Sequence, residues 1–180
     1  MNYKEELEKI DFDKYSNQFP FMGLTMLHGK KDITLIECGG GYSTKVLLTY
    51  AIKHYCKVIT IDDCGVHGDQ MQDYSKNKKL FKLLEKKFPF YKWYDEDVHQ
   101  WFRTHRPKVD YYFDDGTHEP DYLIPLFKTI FPLANEGAIL GSHDVYAGDM
   151  YKFRWFLRSR DWAWMTVENS MFVKVKRCQG

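Results

Sequence analysis

The sequence predicts an α/β fold: a mostly parallel sheet with helices on both faces, closed by an antiparallel hairpin. Three observations predict it. Short apolar runs rich in β-branched and aromatic residues alternate with longer stretches of helical periodicity between residues 33 and 158. The runs end in acidic clusters, at Glu37, at Asp62 and Asp63, at Asp95 to Asp97, at Asp114 and Asp115, and at Asp144. Finally, Ala163 to Val167 and Met171 to Val175 alternate on either side of Glu168, Asn169 and Ser170, which is a hairpin pattern.

In order, residues Asn2 to Tyr15 read as a helix with Leu7 and Ile10 turned inward. The aromatic, proline-containing segment Phe19 to Leu27 should break it and either lid a pocket or cover the sheet edge. Ile33 to Glu37 is the first strand, followed by a glycine turn and a helix to about His54. Lys57 to Ile61 is the second strand, and a polar loop, Cys64 to Asp73, leads into the lysine-rich run Tyr74 to Lys87. There Leu80, Phe81, Leu83, Leu84 and Phe88 recur at helical spacing, so the lysines belong to a solvated face. Tyr91 to Tyr94 is a third strand, followed by a short helix through Trp101 and Phe102. Val109 to Phe113 is a fourth, and Asp121 to Leu133 is a helix that tolerates Pro125 in its first turns. Gly137 to Gly141 is a fifth, and Met150 to Arg158 is the last helix before the hairpin, which brings the sheet to seven strands.

Composition narrows the function. At 180 residues the chain fits one domain with a sizeable core, with 44% hydrophobic and 17% aromatic residues. Lys plus Arg (26) nearly cancels Asp plus Glu (25), so no bulk positive field favours a nucleic acid partner. Cys38, Cys56, Cys64 and Cys178 show no metal or disulfide spacing, which suits a reduced compartment. The charged start lacks the apolar core of a signal peptide, and no run approaches the roughly 20 apolar residues of a membrane span. A cytoplasmic protein with no membrane partner is the expectation.

The stretch LIECGGGYST, Leu35 to Thr44, joins a strand to a helix through three consecutive glycines. Such a turn lets backbone approach a ligand closely, and the helix start behind it offers unpaired N–H groups. Gly39 and Gly41 match two positions of a dinucleotide fingerprint, but Thr44 stands where the third glycine belongs. Glu37 would repel a pyrophosphate and suits instead an ammonium or sulfonium group. Asp62, which is 21 positions after Gly41 (62 minus 41), is placed to accept hydrogen bonds from ribose hydroxyls. A nicotinamide oxidoreductase is therefore disfavoured.

ECGGGYST, the acid after VITI, and the block VDYYFDDGTHEPDYLIPLFKTIFPLANEGAILGSHDVY together resemble the class I S-adenosylmethionine-dependent methyltransferases. Among these the sequence is most similar to the small O-methyltransferase branch that reads FIDGDH and later GHD in the same places. The likeness runs from about Ile33 to Tyr146. It implies a Rossmann-like fold in a single domain, with residues 1–30 an N-terminal helix and candidate lid and 31–180 the core. It also implies that Glu37, Gly39, Gly40, Gly41, Tyr42 and Ser43 surround the methionine half of S-adenosylmethionine and that Asp62 holds the ribose. Asp97, with Asp95 as the fallback, would meet the adenine amino group.

In metal-dependent relatives a divalent cation at the ends of the fourth and fifth strands binds the acceptor oxygens and lowers their pKa. The matching positions are Asp115, His143 and Asp144, with Mg²⁺ or a similar ion expected. Electrostatics points the same way: paired strands lie about 4.8 Å apart, and two carboxylates ~5 Å apart repel by roughly 3 kcal/mol at an effective dielectric of 20. A cation or a shared proton would relieve that. Asp114 stands where the family carries an apolar residue, which leaves open whether Asp114 or Asp115 faces the site. His118 is the candidate general base, so His118, Asp115 and Asp144 are the catalytic candidates. The expected reaction is O-methylation of a small-molecule acceptor, with the acceptor contacted by the 19–27 segment, the 64–73 loop, the stretch after Tyr146 or a second subunit of a homo-oligomer. The rival is a non-catalytic protein of the same fold that binds the cofactor or a nucleoside as a partner or regulator.

Overall fold

The computed structural model describes residues 2–12, 19–63, 74–160 and 162–176. The loop expected over 64–73 lies outside them, and the first helix, expected over Asn2 to Tyr15, ends at Glu8, with only residues 13–15 of that expectation outside the described residues. The elements are α1 (Tyr3–Glu8), α2 (Phe19–Thr25), β1 (Thr34–Cys38), α3 (Tyr42–His54), β2 (Lys57–Ile61), α4 (Tyr74–Lys87), β3 (Tyr91–Tyr94), α5 (Val98–His105), β4 (Val109–Asp114), α6 (Pro120–Ile130), β5 (Ala134–Ser142), α7 (Tyr151–Arg158), β6 (Ala163–Val167) and β7 (Ser170–Lys174). They form a seven-stranded sheet in the order β3-β2-β1-β4-β5-β7-β6. Pairing is parallel through β5, and β7 runs antiparallel to both β5 and β6. This is the expected fold, a Rossmann-like α/β sheet with a closing hairpin.

Both faces of the sheet are covered, so its central strands read as unbroken apolar runs rather than alternating ones. In β4, Tyr112 turns toward α5, α6 and α7, where it packs with Trp101, Phe102, Phe127 and Phe153. Its neighbours Tyr111 and Phe113 turn the other way, toward Leu47, Leu48, Phe81 and Leu84 of α3 and α4. Burying one such ring removes enough apolar surface to contribute about 2 to 3 kcal/mol. In α4, Phe81 and Leu84 are buried, as is Phe88 just past its end, whereas Leu83, expected on that face, is 40% exposed. Two of the helix's lysines form ion pairs, Lys78 with Asp95 at 2.5 Å and Lys87 with Glu6 at 2.5 Å.

The N-terminal region differs from the sequence reading. The segment expected to interrupt helix is itself a helix, α2. Pro20 falls in its first turn, where a missing N–H costs nothing. Gly23 lets it lie directly on the sheet: a Cβ there would come within 2.4 Å of the Phe172 ring. The Tyr111 hydroxyl donates to the Pro20 carbonyl at 3.0 Å and fixes the contact. Two boundaries also move. Helix α3 begins at Tyr42, so Tyr42, Ser43 and Thr44 form its first turn, and β5 begins three residues early, at Ala134.

Candidate functional site

The strand order reverses between β1 and β4, whose carboxyl ends therefore open a crevice where doubly wound sheets bind ligands. The expected site residues converge on this end. Beneath the glycine turn lies Glu37, fully buried, with Oε1 accepting from the hydroxyls of Thr44 and Thr60, each at 2.6 Å. Burial pushes its carboxyl up to about 7; the hydroxyls of Thr44 and Thr60, with Ser43 close by, offset part of that penalty. Its Oε2 is buried without a hydrogen-bond partner.

The glycines serve packing as well as approach. Gly39 has φ +76, and a Cβ there would lie 2.6 Å from the Asp115 carbonyl oxygen. A Cβ at Gly40 would strike Phe81 and Thr60, whereas one at Gly41 would meet nothing within 4 Å. The turn's amides are engaged: Gly39 N donates to Ile61 O, Gly40 N to Asp62 Oδ2 at 2.8 Å, and Gly41 N to Thr44 Oγ1 at 3.0 Å. Asp62 is thereby tied to the turn across the first crossover. Asp97 caps α5, its Oδ1 accepting from Gln100 N at 2.9 Å while Oδ2 accepts from the Tyr122 hydroxyl at 2.9 Å. The fallback acid, Asp95, is exposed and paired with Lys78.

At β4 the two aspartates part. Asp114 points into the interior, where Tyr112 donates to Oδ2 and Gly116 N to Oδ1, and burial pushes its pKa up to about 7. Asp115 turns outward to the crevice and meets residues from two other segments. His143 Nδ1 lies 3.1 Å from Asp115 Oδ1, and His118 Nε2 lies 3.8 Å from the same oxygen. Asp144 stands behind, its Oδ2 3.5 Å from His118 Nδ1 and its Oδ1 3.5 Å from His143 Nδ1. The imidazoles thus lie between the carboxylates and can relieve their repulsion by holding a proton.

The two histidines have opposite tendencies. Burial lowers the pKa of His118 more than the neighbouring carboxylates raise it, so the ring is held neutral and able to accept a proton. For His143 burial also opposes charge, but the hydrogen bond to Asp115 and the fields of Asp115 and Asp144 together outweigh it and raise the pKa. Asp144 adopts a left-handed backbone, φ 49, and Asn169, in the β6–β7 turn, donates its amide to Asp144 Oδ1. One ligand atom each from Asp115, His118 and His143 fall within 4.8 Å of one another, so this set is able to hold a metal ion.

Glu37, Gly39, Gly40, Gly41, Tyr42, Ser43 and Asp62 therefore gather about one turn, and Asp115, His118, His143 and Asp144 about the adjacent one. Asp97 sits at the end of the next strand out, beside Tyr122. Sequence reasoning missed Thr60, Tyr112, Tyr122 and Asn169. Thr60 is the register partner of Glu37 on β2 and Tyr112 stands two residues before Asp114 on the same face of β4, whereas Tyr122 and Asn169 are brought in only by the tertiary arrangement. Beside Tyr42, helices α2 and α3 and the β6–β7 turn line a cleft of about 670 Å³, with Phe21, Met22, Tyr50 and Glu168 among its walls.

Fold and crevice together define a doubly wound α/β protein with a crevice open at the switch point of its sheet. Residues 36–145 match the family described as a methyltransferase domain, and the chain belongs to that family. No curated protein matches its sequence. Among solved structures it is similar to a precorrin-6y C5,15-methyltransferase from Geobacter metallireducens, with a TM-score of 0.67 and 12% identity over 94% of this chain and 95% of that one. It is also similar to the TDP-rhamnose 3'-O-methyltransferase of calicheamicin biosynthesis, with a TM-score of 0.62 and 8% identity over 91% and 81% of the two chains. A third is the MycE methyltransferase of the mycinamycin pathway, solved with Mg, SAH and mycinamycin VI, with a TM-score of 0.65 and 12% identity over 98% of this chain and 54% of that one. At these identities the likeness is one of fold.

Proposed function

We propose that the protein is an S-adenosylmethionine-dependent methyltransferase acting on an oxygen of a small-molecule acceptor. The observation that carries this is the meeting of two clusters across the Gly39–Asp115 contact, one suited to a cationic nucleoside and the other to activating a hydroxyl. Family membership and the acceptor chemistry of the fold's relatives support it. In this reading Glu37, Gly39, Gly40, Gly41, Tyr42 and Ser43 frame the methionine half, Asp62 holds the ribose hydroxyls and Asp97 the adenine amino group. The cleft beside Tyr42 receives the acceptor, for which its volume is adequate.

S-adenosylmethionine held there would supply a methyl group on a cationic sulfur that leaves with the bonding electron pair, and neutral His118 is placed to take the proton that an attacking acceptor hydroxyl must lose. Asp144, beside His118 Nδ1, stabilises the imidazolium that results. Asp115 and His143, with Asp144 alongside, would hold a divalent cation, Mg²⁺ or another, which when bound would lower the pKa of the acceptor hydroxyl.

The test is ligand-induced stabilisation together with turnover. S-adenosylhomocysteine should raise the melting temperature and NAD should not, and labelled methyl groups should pass from S-adenosylmethionine to hydroxylated acceptors. Binding with no transfer across a broad acceptor panel would replace the reading with that of a non-catalytic cofactor-binding protein acting as a partner or regulator. No binding at all would end it.

A further inference from the structure

We infer that the cleft between α2 and α3 takes an elongated aromatic acid, with the hydroxyl to be methylated at the Tyr42 end, linked rings along α3 and a carboxylate at Lys53. The inference rests on the proposed function for the ligand's role as acceptor. Its length, apolar body and charge are argued from the cleft.

One end of the cleft belongs to the crevice. Tyr42 directly follows Gly41 of the glycine turn, and Glu168 precedes Asn169, whose amide reaches Asp144 beside His118. The other end lies at the C-terminus of α3, where Lys53 and His54 line the cleft with Gly29. Tyr42, Val46, Thr49, Tyr50 and Lys53 recur at the three- and four-residue intervals of one helix face, so the cleft follows the axis of α3. Lys53 is eleven residues beyond Tyr42 (53 minus 42), which is about 16 Å along that axis. A single ring fills only part of such a length; a row of linked rings fills it.

The walls suit rings. Phe21 and Met22 come from α2, and Tyr42, Val46 and Tyr50 from α3. Phe21 is 58% exposed, an apolar surface that a ligand in the cleft would cover. At the far end Tyr50 packs on His54 with ring centroids 4.2 Å apart, and the Tyr50 hydroxyl donates to the Lys30 carbonyl at 3.2 Å, which fixes the pair. Burial, with Lys53 and Lys31 nearby, lowers the pKa of His54, so this shelf is aromatic and neutral. Ring faces of this kind pack against aromatic ligands in offset or edge-on geometry.

Charge gives the cleft a direction. Among its described lining residues the carboxylate, Glu168, stands at the crevice end and the ammonium, Lys53, at the far end. Lys53 enters no ion pair among the described residues. A carboxylate on the ligand would be repelled by Glu168 and drawn to Lys53. The acid therefore lies away from the reacting end, and the neutral hydroxyl lies toward His118.

Calorimetric titration of the protein, without cofactor, tests this with a ladder of rod-like probes: para-hydroxybenzoate, its two-ring biphenyl homologue and its three-ring terphenyl homologue, each with the hydroxyl and carboxylate at opposite ends. Affinity should rise at least about tenfold with each added ring, as more apolar surface is buried. The terphenyl acid should bind about two- to fivefold more tightly than its neutral carboxamide, with the difference shrinking as salt is added. Lys53→Met, at an exposed position, keeps the aliphatic stem and should abolish that difference. Thr49→Trp places an indole midway along the cleft and should erase the advantage of the longer probes. Affinity that does not rise with ring number, a carboxamide bound as tightly as the acid by the unsubstituted protein, or an undiminished advantage of the longer probes in Thr49→Trp would each overturn the inference; the first two need no variant to fold. Failure of the ladder leaves S-adenosylhomocysteine binding and methyl transfer untouched. Failure of S-adenosylhomocysteine to bind, with the ladder intact, would instead end the methyltransferase reading and with it the acid's role as acceptor.

Discussion

Gly39 lies against Asp115, so close that a Cβ on the glycine would come within 2.6 Å of the aspartate carbonyl oxygen. The turn after β1 and the turn after β4 are thus one packed unit. Asp115 N also donates to the Cys38 carbonyl at 2.9 Å, which locks the same two turns from the other side.

Gly39→Ala should consequently disturb both halves of the site. The left-handed φ of +76 and the close carbonyl together predict a loss of about 2 to 4 kcal/mol in stability. Urea denaturation measures that loss. Titration with S-adenosylhomocysteine and with Mg²⁺ should show both affinities falling, although the glycine would touch only the first.

The raised pKa of Glu37 makes stability depend on pH. The carboxyl titrates at about 7 in the folded chain against 4.5 in the unfolded one, so between those values the folded state binds more protons. Stability from this group is fully present below about pH 4.5, falls as pH rises, and is lost by about pH 7. The difference is of order 3 kcal/mol. Glu37→Gln keeps the threonine contacts and should flatten that part of the profile, seen as a smaller fall in denaturation free energy between pH 5 and 7.5 than in the unsubstituted protein.

Asp62→Ala removes the acceptor for Gly40 N and, in the proposed function, the one for both ribose hydroxyls. Hydrogen bonds to a charged group contribute roughly 1.5 to 3 kcal/mol net. S-adenosylhomocysteine affinity should fall on the order of tenfold to a hundredfold, and its thermal stabilisation should vanish. An undiminished shift would show that the ribose lies elsewhere.

Tyr112→Phe tests the buried side of the DDG turn. The lost hydroxyl leaves Asp114 Oδ2, fully buried, without its donor. A cost of about 1 to 3 kcal/mol is expected in urea denaturation, with ion binding at the neighbouring Asp115 retained.

Much of this was legible in the chain because both fold and site follow local rules. Strand ends are marked by residues that cannot continue a buried strand, and in a parallel sheet all those ends lie on one side, so the acids of β1, β2, β4 and β5 could be grouped without knowing the strand order. What each acid does was less legible. Glu37 and Asp114 look like ligand contacts in one dimension, yet the strand alternation buries both and couples them to Thr60 and Tyr112 from within the sheet. Asn169 carries no local signal; it reaches Asp144 only because β7 returns antiparallel beside β5. Helix α2 was misread because Pro20 and Gly23 are breakers by propensity, and packing against Phe172 overrides propensity.

That packing also sets an order of assembly. Helix α2 precedes in the chain the surfaces it needs, the Tyr111 hydroxyl and the Phe172 ring, by about 90 and 150 residues. Its docking is therefore a long-range closure that completes the domain rather than nucleating it. Until β4, β5 and β7 have paired, Leu24 has no complete surface to bury against, so this helix is left exposed to proteases and to chaperones in a partly folded chain.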